Sequence, residues 1–353
     1  MHNCHHDILA HHDDAVTLPQ TDQANMRNRR NANRDRLKKG LKNNERAAPR
    51  EFKSQGSYAM KTMVQQPDND YDIDDGVYFD KADLVGDRGA EMTALQTRQM
   101  VRDAIDDGSF SKAPEVRNNC VRVYYKAGYH VDLPVYRRVV DPYNNEIYHY
   151  ELAASSWKRS DARNVTAWFE GENTNQSPDS GNGGQLRRVV RELKAFARSR
   201  DSWKGQILSG FGITKLVTEC FRGDADRDDW ALYDTMTAIR DRLDLDLVVK
   251  HPVTPNESIT KDADDSCAKF FRERIRDAIN NLAPLFDTDC TRKTALKCWD
   301  RVFSTTFFSD RLDLDAKTAV SAPSILTSGL LTDMGAAAAA AAAVRKEGGG
   351  RYA

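Results

Sequence analysis

Long hydrophobic runs are missing from this 353-residue chain. A bilayer-spanning helix needs about 18 or more consecutive apolar residues, and the alanine tract 336–343 is too short and too weakly apolar to serve. Charge of one sign is missing as well. The 52 Lys and Arg residues face 53 Asp and Glu residues, for a formal net charge of −1, so no global field draws the chain onto nucleic acid or an anionic membrane. Paired cysteines are absent. Cys4, Cys120, Cys220, Cys267, Cys290 and Cys298 show no CxxC spacing, which reads as mostly buried, reduced thiols of a cytosolic protein. The N-terminus carries no secretory-signal pattern, and no internal repeat is visible. These absences predict a soluble, cytoplasmic protein with no membrane or nucleic-acid partner.

What is present suffices for one large domain or two intimate ones, since 40% of the residues are apolar. Residues 1–45 read as a flexible or helical leader. Its opening, MHNCHHDILAHH, holds five of the eight histidines beside Cys4. A metal-binding tract is the sharper reading and a disordered leader the favoured one, because nothing there fixes a coordination geometry. The Arg-, Lys- and Asn-rich stretch 23–44 is compatible with a solvated helix.

Residues 46–160 mix helix and strand. A helix is expected to open at Ser57 with that residue as its cap. A second runs from Leu95 to Ile105 and stops at Asp107-Gly108. The β-rich runs 116–125 and 129–140 form a hairpin around Gly128, and 147–152 adds an edge. Residues 161–330 are mostly helical, with segments at 160–169, 186–200, 211–221, 230–243, 266–285 and 295–303. The stretch GENTNQSPDSGNGG, residues 171–184, has the composition of a mobile loop, and 331–353 reads as a flexible tail. The fold class is α+β, a mixed sheet-and-helix half followed by a helical half.

The chemistry concentrates at Asp72-Ile73-Asp74. On an extended strand, residues two apart face the same way, so both carboxylates converge on one side. Hard divalent cations take oxygen ligands, and adjacent carboxylates suit a pair of them. Asp132, in the apolar run HVDLP, offers a third carboxylate where a lone charge would be costly. Asp68, Asp70, Asp72, Asp74, Asp75 and Asp80 could equally be an acidic surface loop. Gly56-Ser57 upstream tilts the balance, because a glycine at a helix start presents backbone N–H groups and a hydroxyl to a triphosphate. The ordered set suits phosphoryl transfer with two metal ions, one lowering the pKa of the attacking hydroxyl and one steadying the pyrophosphate.

Taken together, QGSYAMKT, DIDDGVYF and HVDLPVY resemble the cGAS/DncV-like nucleotidyltransferases (CD-NTases) of bacterial CBASS anti-phage signalling, nearest to the DncV-type cyclic GMP-AMP synthases. The resemblance covers residues 50–310 and is loose in the helical half. It implies a polymerase-β-like nucleotidyltransferase palm with a helical lobe that closes a nucleotide cleft. Asp72, Asp74 and Asp132 would be the catalytic, metal-binding triad, holding two Mg2+ with Mn2+ as a substitute. Gln55, Gly56 and Ser57 would contact the nucleotide. RELKAFAR and ILSGFGITKL resemble the family's following helices, which makes Lys194 a phosphate contact and Ser209 a donor-nucleotide contact. An exposed helix lysine and an N-cap serine are the plainer readings of these two. His130, His149 and His251 read as structural.

The resemblance also implies ATP and GTP as substrates, a cyclic dinucleotide product of the cGAMP kind, and a downstream effector that the product activates. The ending GGGRYA resembles synthase tails conjugated by an E1/E2-like ligase, with Ala353 as the activated residue. Two other readings compete. A non-cyclising transferase, tailing or modifying a small molecule or protein, would keep the palm and change the acceptor. A nucleotide-binding scaffold that serves as a conjugation partner would keep the fold without the chemistry.

Overall fold

The computed structural model describes residues 1–65, 72–126, 128–144, 146–254 and 256–312, and residues 1–312 form one compact unit. The elements run in chain order as α1 (His5–His11), a π-helical turn (His12–Val16), α2 (Gln20–Asn43), β1 (Glu51–Gln55), α3 (Gly56–Ala59), β2 (Asp72–Asp80), α4 (Ala94–Ile105), β3 (Glu115–Val116), β4 (Val121–Tyr124), β5 (His130–Leu133), β6 (Val135–Val140), β7 (Tyr148–Ala153) and β8 (Trp157–Arg159). The helical half follows with α5 (Ala162–Gln176), α6 (Gln185–Arg198), α7 (Gly210–Cys220), α8 (Asp228–Leu245), α9 (Ser266–Leu282) and α10 (Arg292–Phe303). The protein is α+β, as the sequence predicts. Acidic residues 68 and 70, the segment beyond 312 and the GGGRYA tail with Ala353 lie outside the described residues.

One mixed sheet carries the palm. Its organising strand is β2, which pairs antiparallel with β1 and parallel with both β5 and β6. The parallel pairings share one offset, Asp74 beside Asp132 and Val77 beside Val135, so β5 and β6 continue each other across Pro134. Proline donates no ladder hydrogen bond, but its carbonyl still accepts one from Val77 N at 2.8 Å. Strands β4 and β7 pair antiparallel with β5 and β6. A strand flanked on both edges and covered on both faces must be apolar throughout most of its length, and Ile73, Val77, Tyr78 and Phe79 are each fully buried.

Two large apolar cores result among the described residues, beside a small cluster of Tyr78, Tyr136 and Tyr150. Under the sheet, Met26, Leu37 and Leu41 of α2 meet Val101 and Ile105 of α4 and the strand residues Ile73, Val123 and Val131. The second core is helical and gathers Leu186, Leu193, Ile213, Leu232, Phe271 and Trp299. Helix α4 begins with a reciprocal capping box, Thr93 with Gln96, which satisfies two otherwise orphan donors.

Three sequence expectations need correction. The leader is helical rather than disordered, and among the described residues its histidines join no group that could hold a metal ion. Cys4 and Ile8 are buried in the helical core, Cys4 N donates to Asp229 Oδ2 at 2.8 Å, and Asp7 lies between Arg292 and Arg311, each at 2.8 Å. The histidines disperse to separate partners, His5 to the Asp228 amide and His11 to Glu192. The stretch 171–184 is not a loop throughout, because α5 continues to Gln176. Asn173 bonds to the Gly183 carbonyl and the Arg187 amide, and Arg188 forks onto Asp179 and Asp228. Such long-range satisfaction is invisible to composition. Ser57 is not the cap of its helix: Gln55 holds that position without a side-chain cap bond.

Candidate active site

The site is built where β2 begins. The parallel register sets Asp72 beside His130, Ile73 beside Val131 and Asp74 beside Asp132. With a side-chain period of two, Asp72, Asp74 and Asp132 share one face while Ile73 fills the core on the other. Three carboxylates on adjacent strands repel one another, and the consequence falls on Asp74. Burial pushes its carboxyl up to about 7, with the Asp132 and Asp72 charges adding to the effect. Asp72 behaves oppositely. Burial alone would raise it, but the hydrogen bond and charge of His130, reinforced by Arg122 and Arg198, hold it below the ordinary carboxylate value.

Two basic residues of the chain already engage the outer members of the trio. Arg122, directly across the β4–β5 ladder from Asp132, forks onto both carboxylate oxygens at 2.8 and 2.7 Å. His130 Nε2 contacts Asp72 Oδ1. The histidine read as structural is therefore part of the site. Asp75, the third acid of the DIDD run, faces away and is buried in a fork with Arg34 at 2.7 and 2.5 Å, so it is a structural counterion.

Gly56 is required here by geometry. Its φ is +61°, the left-handed region that favours glycine, and a Cβ at that position would collide with Asp74 Oδ2. The β1–β2 register explains the contact, since Gln55 lies opposite Asp74. The backbone thus turns into α3 immediately over the carboxylate, with Ser57 in the first turn of α3 and half-buried. The Gln55 side chain takes no part in the cleft. It is buried, donates to Tyr78 Oη at 2.9 Å and accepts from Tyr136 Oη at 3.1 Å. Those two rings stack at 4.6 Å, so Gln55 fixes the turn from beneath.

A cleft of about 900 Å3 opens at these strand ends. Asp72, Arg122 and His130 line its palm side, and Arg198, Lys204 and Ser209 line its helical side. Ser209 is exposed, caps α7 with its Oγ accepting from Gly212 N at 3.1 Å, and lines the cleft. Lys194 is placed differently from expectation. It is buried, and its Nζ donates to Thr62 Oγ1 at 2.8 Å and to the Thr62 carbonyl at 3.2 Å. Burial, with the Arg198 and Arg191 charges, drives its amine down to about 7. One helical turn further, Arg198 is the α6 cation that reaches the cleft. Sequence reasoning missed Arg122, Arg198 and Lys204. The available signal was the i, i+3, i+7 spacing of Arg191, Lys194 and Arg198, which puts all three on one helix face.

The residues fit divalent cations in donor type and in charge. Oxygen-only donors suit magnesium, and the raised Asp74 carboxyl marks a site whose negative charge lacks sufficient compensation. Among the described residues, no three acid, histidine or cysteine side chains converge on a single cation position. Arg122 and His130 take up the oxygens of Asp132 and Asp72 instead.

Residues 50–136 match the family model described as the nucleotidyltransferase domain of DncV-like cyclic GMP-AMP synthases. Over that segment the chain is similar to the DncV-like nucleotidyltransferase family. The matched segment contains Gly56, Ser57, Asp72, Asp74 and Asp132, and ends before Lys194 and Ser209. A protein of Escherichia albertii named cyclic GMP-AMP synthase is 25% identical over 224 residues, covering 61% of this chain and 47% of that protein. The chain therefore spans about half the length of this curated relative. Among solved structures, Vibrio cholerae DncV in complex with ATP, GTP and 5MTHFGLU2 superposes with a TM-score of 0.67 at 15% identity, covering 85% of this chain and 96% of that one. Escherichia coli MS115-1 CdnC with ATP gives a TM-score of 0.63 at 17% identity, over 86% and 98%. At these identities the structural likeness establishes the shared fold, and for the described residues no helix is long and apolar enough to cross a membrane.

Proposed function

We propose that this nucleotidyltransferase joins nucleoside triphosphates into a cyclic dinucleotide second messenger, with a cGAMP-like product from ATP and GTP. The observation that carries the reading is the register of β2 and β5, which puts Asp72, Asp74 and Asp132 on one face beside a 900 Å3 cleft with cationic residues on its opposite wall. Two magnesium ions held by these carboxylates would lower the pKa of an acceptor hydroxyl and neutralise the departing pyrophosphate. The chain's own residues would do the rest. The tight turn at Gly56-Ser57 offers backbone N–H groups and a hydroxyl to a triphosphate. Arg198 and Lys204 supply positive charge from the helical wall, and the Ser209 hydroxyl faces the same space. Arg122 and His130 keep two carboxylates in place and would yield their oxygens to arriving metal.

Support for cyclisation comes from the relatives. The Escherichia albertii relative is named as a cyclic GMP-AMP synthase, and a V. cholerae DncV structure, with a TM-score of 0.65, holds the linear intermediate pppA(3′,5′)pG. A role in anti-phage signalling, activation of a downstream effector, and conjugation of Ala353 by an E1/E2-like ligase follow from the same family reading. The scaffold alternative fits less well, because all three carboxylates are present and share one face of the sheet.

The deciding experiment incubates the full chain with all four labelled nucleoside triphosphates and magnesium, then digests with phosphatase and weighs the products. A phosphatase-resistant dinucleotide that disappears in Asp72→Asn and Asp74→Asn is expected. Linear tailing alone would move the assignment to a non-cyclising transferase, and no turnover with magnesium or manganese would favour the scaffold.

A further inference from the structure

Behind the helical wall of the cleft lies a second pocket of about 500 Å3, between the C-terminal end of α6, the exposed side of α9 and the end of α10. Its lining includes Arg200, Trp203, Arg274 and Arg301 together with the amides of Asn280 and Asn281. Three guanidinium groups share it with a single carboxylate, Asp277, which pairs with Arg274 at 3.1 Å. Arg301 makes no hydrogen bond or ion pair through its side chain among the described residues, and Arg274 Nε is buried without a partner. Arg200 is the structural member of the three. It lies over the Trp203 ring at 4.4 Å and donates to the Val302 and Arg301 carbonyls at 3.1 and 2.6 Å. Burial, with the nearby Arg274 charge, depresses its basicity. The pocket thus holds three positive charges against the one negative charge of Asp277.

We infer that this pocket is a binding site for a small phosphate-bearing ligand of nucleotide size, distinct from the catalytic cleft and coupled to it through Arg200. Arginine forks match phosphate oxygens, and the paired asparagine amides offer donors and acceptors to a base edge. The volume exceeds what inorganic phosphate fills and falls in the range of small-molecule sites. The coupling rests on placement. Arg200 lines both cavities, and the segment that carries it also presents Ser199, Asp201 and Lys204 to the cleft. A phosphate drawn to Arg274 and Arg301 competes with the carbonyls that Arg200 holds at the end of α10, and any shift of that residue moves the cleft wall. The regulatory half depends on the nucleotidyltransferase reading; the binding half does not.

The test titrates AMP into the full chain by calorimetry with a chelator present, in wild type, Arg301→Gln, Arg274→Gln and Asp74→Asn. Arg301 is exposed, so its substitution leaves the fold intact, which thermal unfolding verifies. Losing one charge-assisted hydrogen bond weakens binding roughly tenfold or more. That loss is expected in both arginine variants and not in Asp74→Asn. Affinity unchanged by either arginine substitution, or no AMP binding to wild type at millimolar concentration, overturns the site. Initial rates of triphosphate consumption measured with and without AMP then test the coupling. A rate change in wild type that vanishes in Arg301→Gln supports it, and AMP that binds without altering the rate overturns it. A wild type inactive both with and without AMP would instead count against the nucleotidyltransferase reading and leave the binding result standing.

Discussion

Gly56 and Asp74 illustrate how closely single residues are tied together at this site. The left-handed backbone at Gly56 and its approach to Asp74 Oδ2 leave no room for a methyl group. Gly56→Ala should cost about 1–3 kcal/mol in urea unfolding and should reduce nucleotidyl transfer far more than that loss of stability accounts for. Asp74 gives a pH signature in metal-free protein. Its folded-state value, near 7, exceeds the unfolded value of about 3.9. Between those pH values the folded state retains a proton that the unfolded state has lost, so Asp74 makes stability decline as pH rises from about 4 to about 7. With chelator present, Asp74→Asn should flatten that part of the urea-midpoint profile. A slope identical to wild type would show that the carboxyl is not raised.

Among the elements, α6 separates two roles that look alike in sequence. Its cations follow helical spacing, yet Lys194 points into the protein to Thr62 whereas Arg198 lines the cleft. Lys194→Met should therefore act on stability, removing two hydrogen bonds that tie α6 to the segment after α3, at about 1–3 kcal/mol. Arg198→Ala should leave the unfolding midpoint nearly unchanged and raise KM for triphosphate by roughly tenfold, as expected for one lost charge-assisted contact. The reverse pattern, with Lys194→Met altering KM alone, would restore the lysine to the phosphate role that its motif suggests.

Across the whole molecule, the first residues of the described unit fasten distant parts together. Asp7 meets Arg292 and Arg311, Cys4 meets Asp229, and His11 meets Glu192, while Ala15 and Val16 continue to the cleft. Burial raises the Asp7 carboxyl, but the two arginines more than reverse that and hold it below its ordinary value. A depressed carboxyl adds stability above the unfolded value of about 3.9 and loses it as pH falls through the folded value. Asp7→Asn should destabilise the protein by about 1–3 kcal/mol at neutral pH, and the gap to wild type in urea should close in strong acid.

The chain's own pattern was enough to locate the carboxylates. Alternation in DID and the apolar setting of Asp132 point to a shared face because strand periodicity is local. Most helices of the second half were legible for the same reason, their apolar faces repeating at helical spacing. Tertiary structure decided what local periodicity cannot carry: which residue lies across a ladder, and which polar group is satisfied far away in sequence. Only the fold put Arg122 opposite Asp132 and His130 beside Asp72, turned Gln55 under the tyrosines and Lys194 into the wall, and ordered the polar leader by burying Cys4, Ile8 and Asp7. Partners separated by 10 to 304 residues leave no trace in a local window, because their free energy comes from burial and pairing that exist only once the chain has closed.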